Sequence, residues 1–283
     1  MFPTPIAQAG QPVQWLYRIA LPVLLVIWLL PLIAIALTSL RGPADIFAGN
    51  YWGIPTQWQV ASNYLAIFQG TPLARYLLNS FLITVPAVIG AVALSCLSGF
   101  ALGVYRFRMN LPVFFLFVAG NFVPFQILMV PVRTLSLRLG LYDSVLGLVL
   151  FHTAFQSGFC TFFMRNFILE LPRELIDAAR MDGATEFQIF RRVVLPLVRP
   201  AIAAVSILIF TFVWNDYFWA TVLIQGDHAM PVTAGLRALN GQWVAQWHLV
   251  AAGSLVAALP PIAIFFLKQR DFITGLTMGA TKG

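Results

Sequence analysis

Along this chain long apolar runs alternate with short polar ones, and the charged residues gather in the polar segments. Charge-free stretches cover residues 19–40, 76–105, 109–132, 144–164, 200–215 and 238–267. An ionised side chain at the centre of a bilayer costs at least about 2.5 to 3.5 kcal/mol, so charge-free stretches mark membrane spans. All but the 200–215 run exceed the roughly 20 residues that a helix needs to cross about 30 Å of hydrocarbon. That run is cut short by Asp216, and its hydrophobic pattern resumes as far as Ile224. The pattern predicts an all-α membrane protein with six transmembrane helices. Residues 1–18 form an N-terminal segment, 19–267 the transmembrane domain and 268–283 a C-terminal tail.

Composition agrees, because 60% of the residues are hydrophobic and 10% charged, more apolar surface than one soluble core of this size can bury. Arginine and lysine set the orientation. With the N-terminus in the cytoplasm, the inner segments hold Arg18, Arg106, Arg108, the six arginines from Arg165 to Arg199, Lys268, Arg270 and Lys282, twelve of the 17 basic residues. The outer segments hold Arg41, Arg75, Arg133, Arg138 and Arg237. Both termini are therefore expected in the cytoplasm. The same asymmetry accounts for a pI near 9.9 without a nucleic-acid surface. The Ala34-Ile35-Ala36 triplet resembles a signal cleavage site, but the run before it is as long as a true span, which favours a retained helix. Cys96 and Cys160 fall inside spans, where a thiol packs as a small apolar group; no disulfide or metal site is indicated.

Residues 166–199, the longest polar stretch on the expected inner side, read as helix, break, helix. Pro172 suits a first helical position and Glu174 complements the dipole of the first turn, so a helix is expected from there to Asp182, ended by Gly183. Thr185 with Gln188 reads as a capping box that opens a second helix, with Phe187, Phe190 and Val194 on one face. The string Asp177-Ala178-Ala179, Gly183, Val193 and Leu195-Pro196 resembles, at every spacing, the EAA signature of importer-type ABC permeases. The wording from Leu171 to Pro200, the triplet Trp214-Asn215-Asp216 and the tail 275–283 are similar to the carbohydrate-uptake branch, in particular its maltose-transporter-like second permease. The resemblance runs from about residue 74 to the end, and the motif's glutamate is Asp177 here, one methylene shorter.

The resemblance implies that the 166–199 loop docks into a cleft on a separate ATPase, with Asp177, Ala178, Ala179, Gly183, Leu195 and Pro196 at the contact. It further implies an ATPase dimer, a sister permease, an extracytoplasmic sugar-binding protein, a sugar substrate and residence in the bacterial inner membrane. No Gly-x-x-x-x-Gly-Lys-Ser/Thr loop is present, and neither Lys268 nor Lys282 lies in such a context, so ATP and magnesium are expected on the partner ATPase and no cofactor or catalytic residue in this chain.

Asp216 is the one acidic residue well inside an apolar run, and a carboxylate at that depth is a functional-site candidate. With Asn215 and Trp219 it offers hydrogen-bonding groups beside a flat aromatic face, as a sugar path requires. An equally open reading makes the aromatics part of an interfacial belt and leaves Asp216 satisfied near the outer boundary. Asn121 and Gln126 are further path candidates; with Asn79 and Gln156 they fit helix-to-helix contacts too. His152 and His248, with no second ligand at metal spacing, read as packing or interface residues. Pro86, Pro124 and Pro131 are positioned to kink their helices. The outer stretch 225–247, with Trp243 and Trp247, suits either a binding-protein contact or a membrane anchor. Two other function classes compete: a secondary carrier driven by protons through Asp216, which ought to show an inverted repeat, and an intramembrane hydrolase, for which Ser157-Gly158 is the only hint. Sugars and glycerol phosphates are both compatible cargo.

Overall fold

The computed structural model describes residues 10–238 and 246–278, and the side chains of 10–237 and 246–269. Trp243 and the end of the tail, 279–283, lie outside the described residues. The described residues fall into two compact units, 10–71 with 246–256, and 72–238 with 257–278.

The first unit contains α1 (Gln11–Leu40), the one-turn α2 (Pro43–Phe47), α3 (Val60–Gln69) and the start of α14 (Trp247–Met278). Arg41, at the end of α1, is fully buried. Its guanidinium donates to the carbonyls of Asn50, Tyr51 and Gly53. Asn63 donates to the carbonyls of Ser39 and Arg41, both at 2.9 Å, so the loop after α1 is closed by side chains that cover its backbone acceptors. Asp45 accepts from the Thr56 amide at 2.8 Å and from its hydroxyl at 2.5 Å.

The second unit is built on α4 (Leu73–Val104) and α7 (Val145–Leu169). They approach closely because the facing residues are small. A methyl group on Gly99 would sit 3.0 Å from the Arg165 nitrogen and from Met164 Cβ, and one on Gly103 would sit 3.0 Å from Ile168 Cγ2. Ser98 and Thr161 hydroxyls meet at 2.7 Å, and Ser95 donates to the Ser157 carbonyl at 3.2 Å. Between helices in a bilayer, where hydrophobic burial gives no drive, such small-residue packing and hydroxyl bonds supply the contact.

The contacts climb both helices together, from Gly90 with Thr153 to Gly103 with Ile168, so α4 and α7 run parallel. The chain leaves α4 at one end and enters α7 at the other, and residues 105–144 must traverse the bundle between them. They do so as α5 (Asn110–Gly120), a 3₁₀ turn (Phe125–Leu128) and α6 (Met129–Arg138), with a bend of 89°. The helix expected over 109–132 is therefore broken, at the proline placed to kink it. Pro124 sits in the break, where it has no amide to continue the α-helical ladder.

After α7 come α8 (Arg173–Met181), α9 (Glu186–Ile189), a π-helical turn (Phe190–Val194) and α10 (Leu195–Leu197). The chain then bends by 74° into α11 (Arg199–Trp214), which precedes α12 (Phe218–Leu223) and α13 (Val232–Ala238). Glu186 lies against Tyr105 at the far end of α4, whereas Gln225 and Gly226 bind Asp143 just before α7. The α11–α12 segment thus returns across the bundle antiparallel to α4 and α7. The expected run from 200 to 224 is interrupted at Asn215–Tyr217.

Among the described residues four helices, α1, α4, α7 and α14, are each long and apolar enough to span a bilayer, and the two bent pairs bring the possible spans to six. Helix α1 crosses the expected boundary between residues 18 and 19, and α14 continues beyond 267.

Candidate functional site

The polar loop at one end of the second unit is organised by local rules. Helix α8 starts after Pro172, one residue later than expected, and ends at Asp182 in a Schellman motif. The Ala184 amide donates to the Ala179 carbonyl, the Gly183 amide donates to the Arg180 carbonyl, and Gly183 has φ +80°. A side chain at Gly183 would meet nothing within 4 Å, so the demand for glycine comes from the backbone angle alone. The capping box is formed in both directions: the Gln188 amide donates to Thr185 Oγ1 at 3.3 Å, and the Thr185 amide donates to Gln188 Oε1 at 2.8 Å.

Across the Gly183 turn, Arg180 Nε donates to Glu186 at 2.9 Å and Arg180 Nη1 to Asp177 at 3.2 Å. Tyr105 at the end of α4 donates its hydroxyl to the other Glu186 oxygen at 2.7 Å. The Arg180 bond first and the Tyr105 bond second hold the Glu186 carboxyl below its ordinary value of 4.5, against the opposing effect of burial. Ile176, Ile189, Phe190 and Val194 are buried under the loop, whereas Met181 and Phe187 are 85% and 65% exposed. The Phe187 ring keeps its contact with Phe190, with centroids 6.5 Å apart, but unlike Phe190 and Val194 it is left uncovered. Of the six expected coupling residues, Asp177, Ala178 and Gly183 are exposed and Ala179 is half-buried, while Leu195 and Pro196 lie past the π-turn, where the chain prepares to bend into α11.

The candidate path residues belong to the two helix breaks. Asn121 and Asn215 follow the last residues of α5 and α11, and each donates its side-chain amide to the carbonyl four residues earlier, Phe117 and Thr211, at 2.9 Å. Such a bond satisfies one of the acceptors that a helix end leaves open. Both residues are exposed, as is Gln126 in the 3₁₀ turn. The breaks meet where the rings of Phe125 and Phe218 stand edge-on with centroids 5.1 Å apart. Gly158 on α7 lets the first break come close, since a methyl group there would lie 3.0 Å from the Phe117 carbonyl oxygen and 3.2 Å from Asn121 Nδ2.

Asp216 is not a lone carboxylate, and the open reading in which it is satisfied by its surroundings describes its contacts. Its oxygens accept from the backbone amides of Trp219 at 3.2 Å and Ala220 at 3.0 Å, so it caps α12. His152 Nε2 on α7 lies 3.5 Å from Asp216 Oδ2, with side-chain exposures of 4% and 14%. Thr233 donates to the Asp216 carbonyl at 2.6 Å. Sequence reasoning treated His152 as packing; the available signal was that two ionisable residues deep in neighbouring spans tend to find each other. Trp219 is 3% exposed and packs its ring on Phe151 at 4.2 Å, so it supports the break from inside.

At the opposite end from the polar loop, Asp143 adopts φ 58° and accepts from the Gln225 and Gly226 amides, both at 2.8 Å. Asn79 donates to the carbonyls of His228 and Met230 at 3.0 Å, and Tyr76 to Asp227 at 3.0 Å. Asn79 is therefore glue between α4 and the loop that follows α12.

Similarity to known proteins agrees with this architecture. The chain is 33% identical over 272 residues to the osmoprotective compounds uptake permease protein GgtD of Synechocystis, covering 94% of this chain and 91% of the relative. It is 33% identical over 273 residues to the arabinooligosaccharides transport system permease protein AraQ of Bacillus subtilis, covering 94% and 96%. Its fold matches a chain in the crystal structure of a bacterial ABC transporter that imports the acidic polysaccharide alginate, with TM-score 0.80, 24% identity and coverage of 94% and 99%. Residues 91–270 match the family described as binding-protein-dependent transport system inner membrane component. That match takes in α7, the polar loop and both flanks of the Asp216 break. A helical bundle with two broken helices and a capped polar loop at one end is accordingly a transport permease, and the chain belongs to the binding-protein-dependent transport system inner membrane component family.

Proposed function

We propose that this chain is a permease subunit of an ATP-binding-cassette sugar importer in the bacterial inner membrane, with both termini cytoplasmic. It lines half of a translocation path with a sister permease and takes its drive from a separate ATPase dimer that binds ATP and magnesium. An extracytoplasmic binding protein delivers the sugar. The observation that carries this reading is the polar loop: a Schellman turn and a capping box fix α8 against α9 and leave Met181 and Phe187 uncovered beside Gly183, with Asp177 on the same exposed surface. Exposed large apolar groups on a locally rigid polar loop suit a partner protein.

Asp177, Ala178, Ala179 and Gly183 then form the handle. Leu195 and Pro196 carry its movement through the 74° bend into α11, which ends at Trp214, directly before Asn215 and Asp216. The exposed amides of Asn121, Gln126 and Asn215 suit sugar hydroxyls, while Asp216 and Trp219 hold the break in shape. The arabinooligosaccharides named for one relative support a carbohydrate as the substrate class. Asp216 is taken up structurally, as acceptor for the first amides of α12 and as the neighbour of His152, which argues against a role as proton carrier.

The test is uptake by proteoliposomes that contain the chain with its co-purifying subunits and its binding protein. Labelled sugar should accumulate only with ATP, with no response to an imposed pH gradient, in both the parent and Asp216→Asn. Uptake that runs without ATP, follows the pH gradient and vanishes in Asp216→Asn would overturn the assignment.

A further inference from the structure

Beside the polar loop lies a second feature to which transport assigns no task. The end of α4, the turn 105–109, the start of α5 and the end of α7 enclose a groove of ≈ 360 Å³ lined by Arg106, Arg108, Arg165 and Arg173 together with Phe107 and Leu111. No carboxylate lines it. Among the described residues none of these arginines has an acidic oxygen within 4.0 Å, although Arg180 nearby is paired twice.

The groove is held open by a shared acceptor. The Leu102 carbonyl accepts from Asn110 Nδ2 at 2.9 Å and from Arg165 Nε at 3.3 Å, and Asn110 also donates to the Tyr105 carbonyl at 2.8 Å. The ends of three helices are thereby tied at one point. The Arg165 guanidinium carbon rests 4.0 Å above the Phe114 ring, which fixes it at the groove wall. Its Nη groups have no hydrogen-bond partner in the protein among the described residues.

We infer that this groove binds the phosphate headgroup of an anionic phospholipid, whose acyl chain lies along the exposed face of α5. Guanidinium groups match phosphate oxygens in geometry as well as charge. The groove sits where three apolar helices end, the depth at which headgroups lie, and basic pockets between membrane helices at the cytoplasmic side recognise such groups. Leu111 and Phe115, four residues apart on α5, are 56% and 60% exposed and continue the groove along the helix. A free phosphate has no use for that apolar track, and a phospholipid has. Lipid of the cytoplasmic leaflet would then brace the root of the coupling loop, since Arg173 is the first residue of α8.

The inference rests on the proposed membrane orientation and is independent of ATPase docking, so its failure is distinguishable from a failure of ATP-driven uptake. The experiment is lipid binding by the full-length chain, purified from membranes and offered phosphatidylglycerol or phosphatidylcholine, followed by native mass spectrometry. The parent should retain phosphatidylglycerol in preference. Arg106→Gln with Arg108→Gln, which leaves Arg165 and its contacts in place, should weaken that retention by on the order of tenfold. Millimolar inorganic phosphate should not displace the lipid. If the double variant fails to insert, a photoreactive phosphatidylglycerol on the unmodified chain decides the matter, with adducts expected in peptides 102–111 and 165–173. Equal retention of both lipids, or retention unchanged in an inserted variant, would overturn the inference. So would displacement by inorganic phosphate, which marks a free-anion site, or a co-purifying protein in place of lipid in the adducts.

Discussion

The polar loop from α8 to α10 and the two breaks at 121–124 and 215–217 are irregular parts of the second unit that are stabilised in different ways. In the loop the partners are residues within a few positions: Gly183 turns the chain, Thr185 and Gln188 cap each other, and Arg180 reaches Glu186 across the turn. In the second break local caps by Asn215 and Asp216 are joined by partners distant in sequence, His152 from α7 on the Asp216 carboxylate and Thr233 on its carbonyl. A segment in water can rely on local caps because solvent satisfies what they leave over. Backbone freed inside a membrane bundle must find partners on other helices. The comparison predicts that the breaks are costly to disturb and tolerant of amide replacements, whereas the loop is sensitive at one backbone angle and forgiving elsewhere.

The largest effect is expected at the second break. Asp216→Leu removes the α12 cap and leaves His152 without a partner at Nε2, in addition to a buried Nδ1 that already has none. Loss of about 2–4 kcal/mol follows from those two changes, read as a lower melting temperature of the purified chain. Asp216→Asn keeps a good cap and should stay near the parent. If the two variants melt together, the break is not held by Asp216.

Gly183→Val comes next. It places a β-branched residue at φ +80°, which costs on the order of 1–2 kcal/mol with no steric clash to relieve, because the surrounding space is empty. Binding-protein-stimulated ATP hydrolysis of the assembled transporter should fall about tenfold while membrane insertion persists. Gly183→Asn tolerates the left-handed region and should retain most of the activity. Equal loss in both would show that the backbone angle is not the requirement.

The smallest effect belongs to the Arg180–Glu186–Tyr105 strut. Both charged side chains are substantially exposed, at 37% and 44%, so Glu186→Gln should cost only about 0.3–1 kcal/mol in protein stability. Glu186 titrates below its ordinary value in the folded chain. Its contribution is therefore fully present above pH 4.5 and is lost as pH falls through the depressed folded value. A melting curve measured against pH should show this sag in the parent and lose it in Glu186→Gln.

The same contrast explains what could be read from the sequence. The α8–turn–α9 layout was legible to within a residue, because Gly183, Thr185 and Gln188 act over three or four positions. The apolar runs announced α4 and α7 and the places of the other crossings. Pro124 and Asp216 marked the places of the two interruptions, but neither the size of the 89° turn nor the capping of α12 was legible from hydropathy. The bends depend on where Gly158 and His152 of α7 lie in space. Asn121, Gln126 and Asn215 stood out in the sequence as polar groups in apolar runs; that Asn121 and Asn215 close helix ends could not be seen without knowing where the helices stop. Arg180 and Glu186, opposite charges flanking a turn glycine, were readable in principle and were passed over in favour of Asp177.

The central claim is that the α8–α10 loop is the handle for a separate ATPase. A photoreactive amino acid at Phe187, 65% exposed beside the Gly183 turn, addresses it directly, with Gln225 at the opposite end of the bundle as control. In the intact transporter, irradiation should join the Phe187 probe to the ATPase subunit and leave the Gln225 probe unjoined to it. An ATPase adduct from Gln225, or none from Phe187 while the complex still hydrolyses ATP in response to its binding protein, would contradict the account.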